Sequence, residues 1–483
     1  MDDLSREDAS LKVRKKLGHP VIDSDSHTSE YDPVFLEYLT QVGGRSVAER
    51  YESNLRGGAS HWYELSPDER DDRRVQRPPF WILPAGNTTD RATTMLPGLM
   101  RARMDNFGID FSVVYTSKLH VNRLADEEIR KAGSRALNVM HAEMFADHAD
   151  RLTPAAVIPM HTPEEAIAEL EFCVGELGLK AAMVAGIVRR PVPIIEREAP
   201  EVAHYALWID PIGLGSPHDY DPLWRRFVDL KVAVTSHTSG IFGSRATTVN
   251  FTYNHIGHFA SSNEAFCKAL FMGGVTRRFP ELRFGFLEGG ANWAANLYND
   301  LIEHWEKRGV DALDANLNPD RVDRELMASL AGQYGGRWFE KWVNDIRENG
   351  DGMGSQEAQD SLDEFAACEI TCERDIYDLF VPNFHFGCEA DDRMNGAAFN
   401  AKANHMGARL KAVFSSDISH WDVQDMQSVL AEAYGLVERG ILSEEDFDDM
   451  TFRNPISLHA GQNRDFFKGT IVEDAVVAEL AKG

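Results

Sequence analysis

Eight short apolar runs separated by amphipathic stretches constrain this chain more than any other feature. They cover residues 20–22, 111–115, 152–158, 180–185, 231–235, 282–287, 383–386 and 410–414. Apolar strands that alternate with helices belong to a parallel sheet covered on its outer face. Eight such units describe a (β/α)8 barrel, here over residues 20–302 and 382–483 after an N-terminal extension over 1–19. The interval 303–381 is too long for one connection. It is helix-rich and acidic, and is expected to be a helical insertion between strands six and seven, a lid or an oligomer contact, with a separate small domain as the second reading. Between strands one and two, residues 30–87 are expected to be irregular. Helices are expected over 91–107, 138–148 and 163–177, and a tail from Ser443 onward is expected to close over the barrel.

Composition narrows the function classes. The 77 acidic residues against 50 basic ones leave a net charge of -27, which opposes nucleic acid and anionic membranes as partners. No apolar run approaches the roughly 20 residues needed to cross a bilayer. The charged start, through Lys16, lacks the apolar core of a signal peptide. Five cysteines without finger spacing suit a reducing compartment, with Cys368 and Cys372 read as two packed thiols. The expectation is a cytoplasmic homo-oligomer that acts on a small molecule, with no nucleic-acid or membrane partner.

In such a barrel the C-terminal strand ends carry the chemistry. Strand one leads into Asp25-x-His27, strand five into His237, strand six into Glu288-Gly-Gly, strand seven into Glu389 and strand eight into Asp417-x-x-His420. One such residue is ordinarily a helix cap or loop anchor. Five strand ends on one face call for a metal. Neutral imidazoles and carboxylates suit a divalent ion, zinc first, with iron or manganese as alternatives. The ion lowers the pKa of a bound water toward about 7. Asp417 fits the base that takes its proton, and Glu288 either completes a second metal position or acts as the acid. His255 and His258, three apart, would share a helix face, and His258 is a further candidate acid. The site is expected to hold one ion or two. Phe80, Trp81, Trp293 and Trp421 are candidate pocket aromatics. Arg91 and Arg103 are candidate carboxylate binders, against the alternative of salt bridges to neighbouring acids.

Ile22-Asp-Ser-Asp25-Ser-His27, His237, the run from Arg278 to Gly290 and Ser416-Asp417-Ile-Ser-His420 together resemble the amidohydrolase-related branch of the amidohydrolase superfamily. That branch includes the aminocarboxymuconate-semialdehyde and resorcylate-type decarboxylases, and the resemblance runs from about Pro20 to Phe467. It implies a distorted TIM barrel and a divalent metal held by Asp25, His27, His237 and Asp417. Two positions depart from the pattern. Asp25 stands where the family has His or Glu, which favours a harder ion, and Glu288 stands where the decarboxylases commonly carry a catalytic His. The first expected activity is therefore metal-dependent hydrolysis of an amide, ester or thioester. The second is nonoxidative decarboxylation of an aromatic or unsaturated acid, and the third is an inactive barrel used as a binding subunit.

Overall fold

The computed structural model describes residues 9–57, 61–238, 248–350, 352 and 362–482. Its strands are β1 (Ile22–Thr28), β2 (Phe111–Thr116), β3 (Leu152–Ile158), β4 (Ala181–Val184), β5 (Val188–Pro191), β6 (Leu207–Asp210), β7 (Val234–Ser236), β8 (Phe284–Phe286), β9 (Phe384–Glu389) and β10 (Lys411–Ser415). Eight lie in the order β1-β2-β3-β4-β7-β8-β9-β10 with every neighbouring pair parallel. This is the (β/α)8 barrel. The antiparallel pair β5–β6 lies outside it and was not expected. Its strands are four residues each and one ends in Pro191, too short and interrupted for alternation to register.

The barrel closes between β10 and β1 at the mouth. Asp417 N–H donates to Asp25 O at 3.0 Å and His27 N–H to Ile418 O at 2.9 Å. Beneath them Asp23 is fully buried and accepts from Ser416 N–H, Ser416 Oγ, Ser112 Oγ and Asp25 N–H at 2.6–3.1 Å. These donors partly offset the cost of burying the carboxyl, which burial still raises above its usual range, and they tie β1, β2 and the segment after β10 together. Inward residues such as Val113, Tyr115, Val157 and Met183 fill the barrel. Val114, Ala156, Ile158 and Val184, with opposite parity, pack under the helices.

Several expected boundaries shift for local reasons. The first strand is not 20–22 but runs from Ile22 through Thr28 with all seven residues buried, because its backbone pairs with β2 on one side and bonds to the segment after β10 on the other. Residues 30–87 are largely helical: Asp32–Gly43 and Arg45–Gly57 bury Phe35, Leu39, Val47 and Tyr51. The stretch 91–107 is two helices, Thr88–Thr93 and Pro97–Phe107, since Pro97 can only begin a helix. The second ends at Gly108 with φ 74°. The helix expected over 138–148 begins at Glu127, capped by Asp126. Cys368 is buried in a short 3-10 turn, while Cys372 is exposed ahead of the helix Glu373–Phe380, so the two do not pack. Helix Asn292–Arg308 crosses the expected boundary at 302/303, and Val310–Asn316, Arg324–Tyr334 and Val343–Asn349 follow it. The tail closes the N-terminal end of the barrel and not the mouth. Phe466 and Phe467 pack on Phe111, Lys180 Nζ donates to Phe466 O at 2.5 Å, and Arg283 N–H to Gln462 Oε1 at 2.9 Å. Among the described residues no helix is long and apolar enough to cross a membrane.

Candidate metal centre

β1 carries one extra residue between Asp23 and Ser26 relative to β2, a bulge of the kind that re-aims side chains beside active sites. Asp25 and His27 both face the barrel axis there. His27 Nε2 lies 3.4 Å from Asp25 Oδ1, 3.4 Å from Asp417 Oδ1 and 3.1 Å from His237 Nε2. His237 Nε2 lies 3.7 Å from Asp25 Oδ2 and 3.0 Å from Glu288 Oε2. Nitrogens and oxygens about 2.0–2.2 Å from one ion subtend separations of this size. The strand ends thus bring Asp25, His27, His237, Glu288 and Asp417 together with His420, the further strand-eight candidate, whose Nδ1 is 2.7 Å from Asp417 Oδ1. His420 Nε2 reaches Ser117 Oγ at 3.3 Å.

Backbone geometry and unmet hydrogen-bonding capacity mark the same residues. Glu288 and Asp417 sit at φ 54° and 49°, a left-handed conformation that costs a non-glycine residue on the order of 1 kcal/mol and gathers at functional sites. Both oxygens of Asp25 are buried without a hydrogen-bond donor. Orphaned buried carboxylate oxygens are costly, and a cation is the partner this donor set fits.

The electrostatics agree. Burial pushes the Asp25 and Asp417 carboxyls well above their usual range, and Glu288 adds to the shift of both. Burial lifts Glu288 to about 8, with Asp422 and Glu389 adding to it. It depresses His27 well below its ordinary value, reinforced by His420 and His237, and lowers His237 to about 4 against the pull of Asp25. The imidazoles are therefore neutral, their metal-binding form, and the carboxylates lack a counter-charge.

Above the cluster opens a cavity of about 330 Å³ lined by His255, His258, Glu288, Glu389, Trp421 and Asp422, among others. His255 and His258 do not share a helix. Gly257 at φ 73° separates Phe251–His255 from His258–Met272, and the two rings meet at 4.5 Å only because the chain turns there. His258 lines the cavity but lies outside the metal-spaced groups. Of the candidate aromatics, Trp421 lines the mouth, whereas Trp293 is buried against Phe286 and Phe386 and belongs to the core. Trp81 is 91% exposed. Arg103 pairs in the interior with Asp90 at 2.7 Å, and Arg91 donates to the carbonyls of Leu83 and Pro84. Asp422, absent from the sequence reading, is lifted to about 8 by burial and by Asp417. Its signal was its place two residues beyond His420 on the strand-eight loop.

The profile of the family described as "Amidohydrolase" matches residues 65–314. A gamma-resorcylate decarboxylase of Polaromonas sp. (strain JS666) is 36% identical over 83 residues, which is 17% of this chain and 26% of that protein. The crystal structure of a dihydroxybenzoic acid decarboxylase from Polaromonas sp. JS666, with bound manganese and the inhibitor 2-nitroresorcinol, superposes with TM-score 0.51 at 17% identity, over 93% of this chain and 99% of that one. An amidohydrolase from Mycobacterium avium subsp. paratuberculosis K-10 gives TM-score 0.51 at 17% identity, over 92% and 99%. At such identity these structures establish a shared barrel.

Proposed function

The chain belongs to the amidohydrolase family, and on that premise we propose that it is a metal-dependent, nonoxidative decarboxylase of an aromatic or unsaturated carboxylic acid. The observation that carries this reading is a buried carboxyl, Glu288, whose Oε2 lies 3.0 Å from His237 Nε2 at the edge of a metal-spaced cluster and which also lines the cavity above it. The segment shared with a gamma-resorcylate decarboxylase supports it. Hydrolysis was the first expectation from the sequence, and the relatives favour the second.

Asp25, His27, His237 and Asp417 would hold the ion, with Glu288 adjacent. A bound divalent ion supplies Lewis acidity toward the substrate's oxygens. Manganese is the ion in the structural neighbour, and carboxylates at positions 25 and 417 accept it as readily as zinc. His420 orients Asp417 through its Nδ1 contact. Trp421 and Phe259 wall the cavity and limit water. The bond from the reacting carbon to the carboxylate breaks, carbon dioxide leaves, and the electron pair stays on carbon. Glu288 delivers its proton to that carbon and is recharged from the mouth, where Glu389 and Asp422 hold protons near neutrality.

Hydrolysis remains the second reading because His258 and Glu288 line one cavity, as a leaving-group donor and a water-side acid would. Incubation of the manganese- or zinc-loaded protein with gamma-resorcylate and related hydroxybenzoates in deuterated water separates the two. Decarboxylation yields carbon dioxide and one aromatic product with a single deuterium at the vacated carbon. Cleavage of an amide or ester panel into two organic fragments, with no carbon dioxide from any acid, would overturn the proposal.

A further inference from the structure

Away from the barrel mouth, the segment after helix Asn292–Arg308 folds into a hairpin of helices. Its arms are Arg324–Tyr334 and the run through Gly336–Phe339 and Val343–Asn349. The arms are antiparallel. Arg347 Nε meets Glu325 Oε2 at 2.7 Å, Arg324 Nη1 donates to Glu348 O at 3.1 Å, and Gly332 approaches Val343 at the other end. Ala328 and Ile346 are buried on the inside. The outside is apolar. Leu326, Leu330 and Tyr334 repeat every four residues along the first arm, and Trp338, Phe339 and Trp342 continue on the second, all 42–75% exposed.

Exposed leucines are ordinary, but four exposed aromatics in nine residues are not. With aromatic side chains offering about 150–250 Å² each, the six present on the order of 700 Å² of apolar area. That exceeds the largest patch usual on a monomer, roughly 300–600 Å², and approaches the about 800 Å² that each partner contributes to a stable protein interface. The composition, aromatic side chains with Arg337 and Lys341 lying over Trp338 and Trp342 at 4.9 and 4.8 Å, is that of interface hot spots.

We infer that this hairpin is the surface through which two copies of the chain associate. Charge selects the occupant. Residues 321–347 hold five basic and four acidic residues, whereas the whole chain carries -27. Two such acidic proteins repel over most of their surfaces, and this near-neutral face, with both signs interleaved, is where a self-complementary contact meets no net repulsion. The inference is independent of the reaction at the metal centre.

Sedimentation velocity of the full chain at micromolar concentration tests it. The expected mass is twice the 54.1 kDa of the chain. A double substitution, Tyr334→Glu with Trp338→Glu, is expected to raise the dissociation constant about 100-fold or more and return the single-chain mass, with circular dichroism unchanged. Tyr205→Glu, a charge placed on a distant exposed aromatic, leaves the dimer intact. Hydrogen exchange of the wild type at low and high concentration needs no variant, and its protection should rise with concentration over 324–349. A wild type that stays at single-chain mass, a folded double variant that still dimerises, exchange over 324–349 that ignores concentration, or binding of these residues to lipid vesicles in place of self-association would each overturn it.

Discussion

At the N-terminal end of the barrel the His459 ring stacks on Phe466 with centroids 4.4 Å apart, and His385 Nε2 shares Ser457 Oγ with Lys411 Nζ. At the C-terminal end His27 and His237 face each other across 3.1 Å with carboxylates around them. Burial keeps all four imidazoles neutral, lowering His459 to about 3 and His237 to about 4. What differs is the company. The lower histidines face lysines and a hydroxyl, a setting that favours the neutral ring, and they serve packing. The upper ones face acids whose own charge burial opposes, an arrangement whose donors fit a cation. A buried histidine is informative only together with the charge of what it faces.

The contrast can be broken at either end. The largest effect is expected from His27→Ala. Metal content, measured by atomic emission, should collapse and turnover fall by more than the ~100-fold at which outer ligand partners act, while His459→Ala leaves metal content unchanged. Equal loss in both would erase the distinction. Next, Glu288→Gln should retain the ion yet lower kcat by about 10²–10⁴, the range of a general acid, and a variant with wild-type kcat would remove Glu288 from the chemistry. At the other end, Phe466→Ala should cost roughly 3–5 kcal/mol in denaturant unfolding, with activity per folded molecule preserved. Activity lost beyond the folded fraction would show that the plug shapes the mouth.

The smallest effect concerns pH. Glu288 and Asp422, raised to about 8, and Glu389, raised to about 7, hold protons more tightly folded than unfolded. Their contribution is complete below the unfolded value and is lost as pH rises through the folded ones. Above about pH 6.5 the histidines are neutral in both states and add little. The metal-free protein should therefore melt at progressively lower temperature from about pH 6.5 to 9, and manganese or zinc should flatten that slope. A flat metal-free profile would mean the mouth carboxyls ionise freely.

The barrel was legible because its strands are apolar runs at near-regular intervals, and 152–158 coincides with β3 residue for residue. The helices between 32 and 57 were not, because Gly43, Gly44 and scattered arginines hide pairs such as Phe35 with Leu39 whose four-residue spacing was present. At the site, residues that follow a strand directly, Asp25, His27, His237, Glu288 and Asp417, could be placed by topology alone. His420 was a second-rank candidate on the strand-eight loop, and Asp422 was missed, because no periodicity tells which loop side chain turns inward.

The sequence by itself determined the architecture and which strand ends bear metal-type ligands, since strand periodicity and chain order dictate both. Tertiary structure alone decided that these residues converge within hydrogen-bonding distance and lose their solvent. It also turned Glu288 from a substitution in a familiar pattern into a buried carboxyl 3.0 Å from His237, facing the cavity. Convergence and desolvation are properties of packing between distant segments, and no local spacing encodes them.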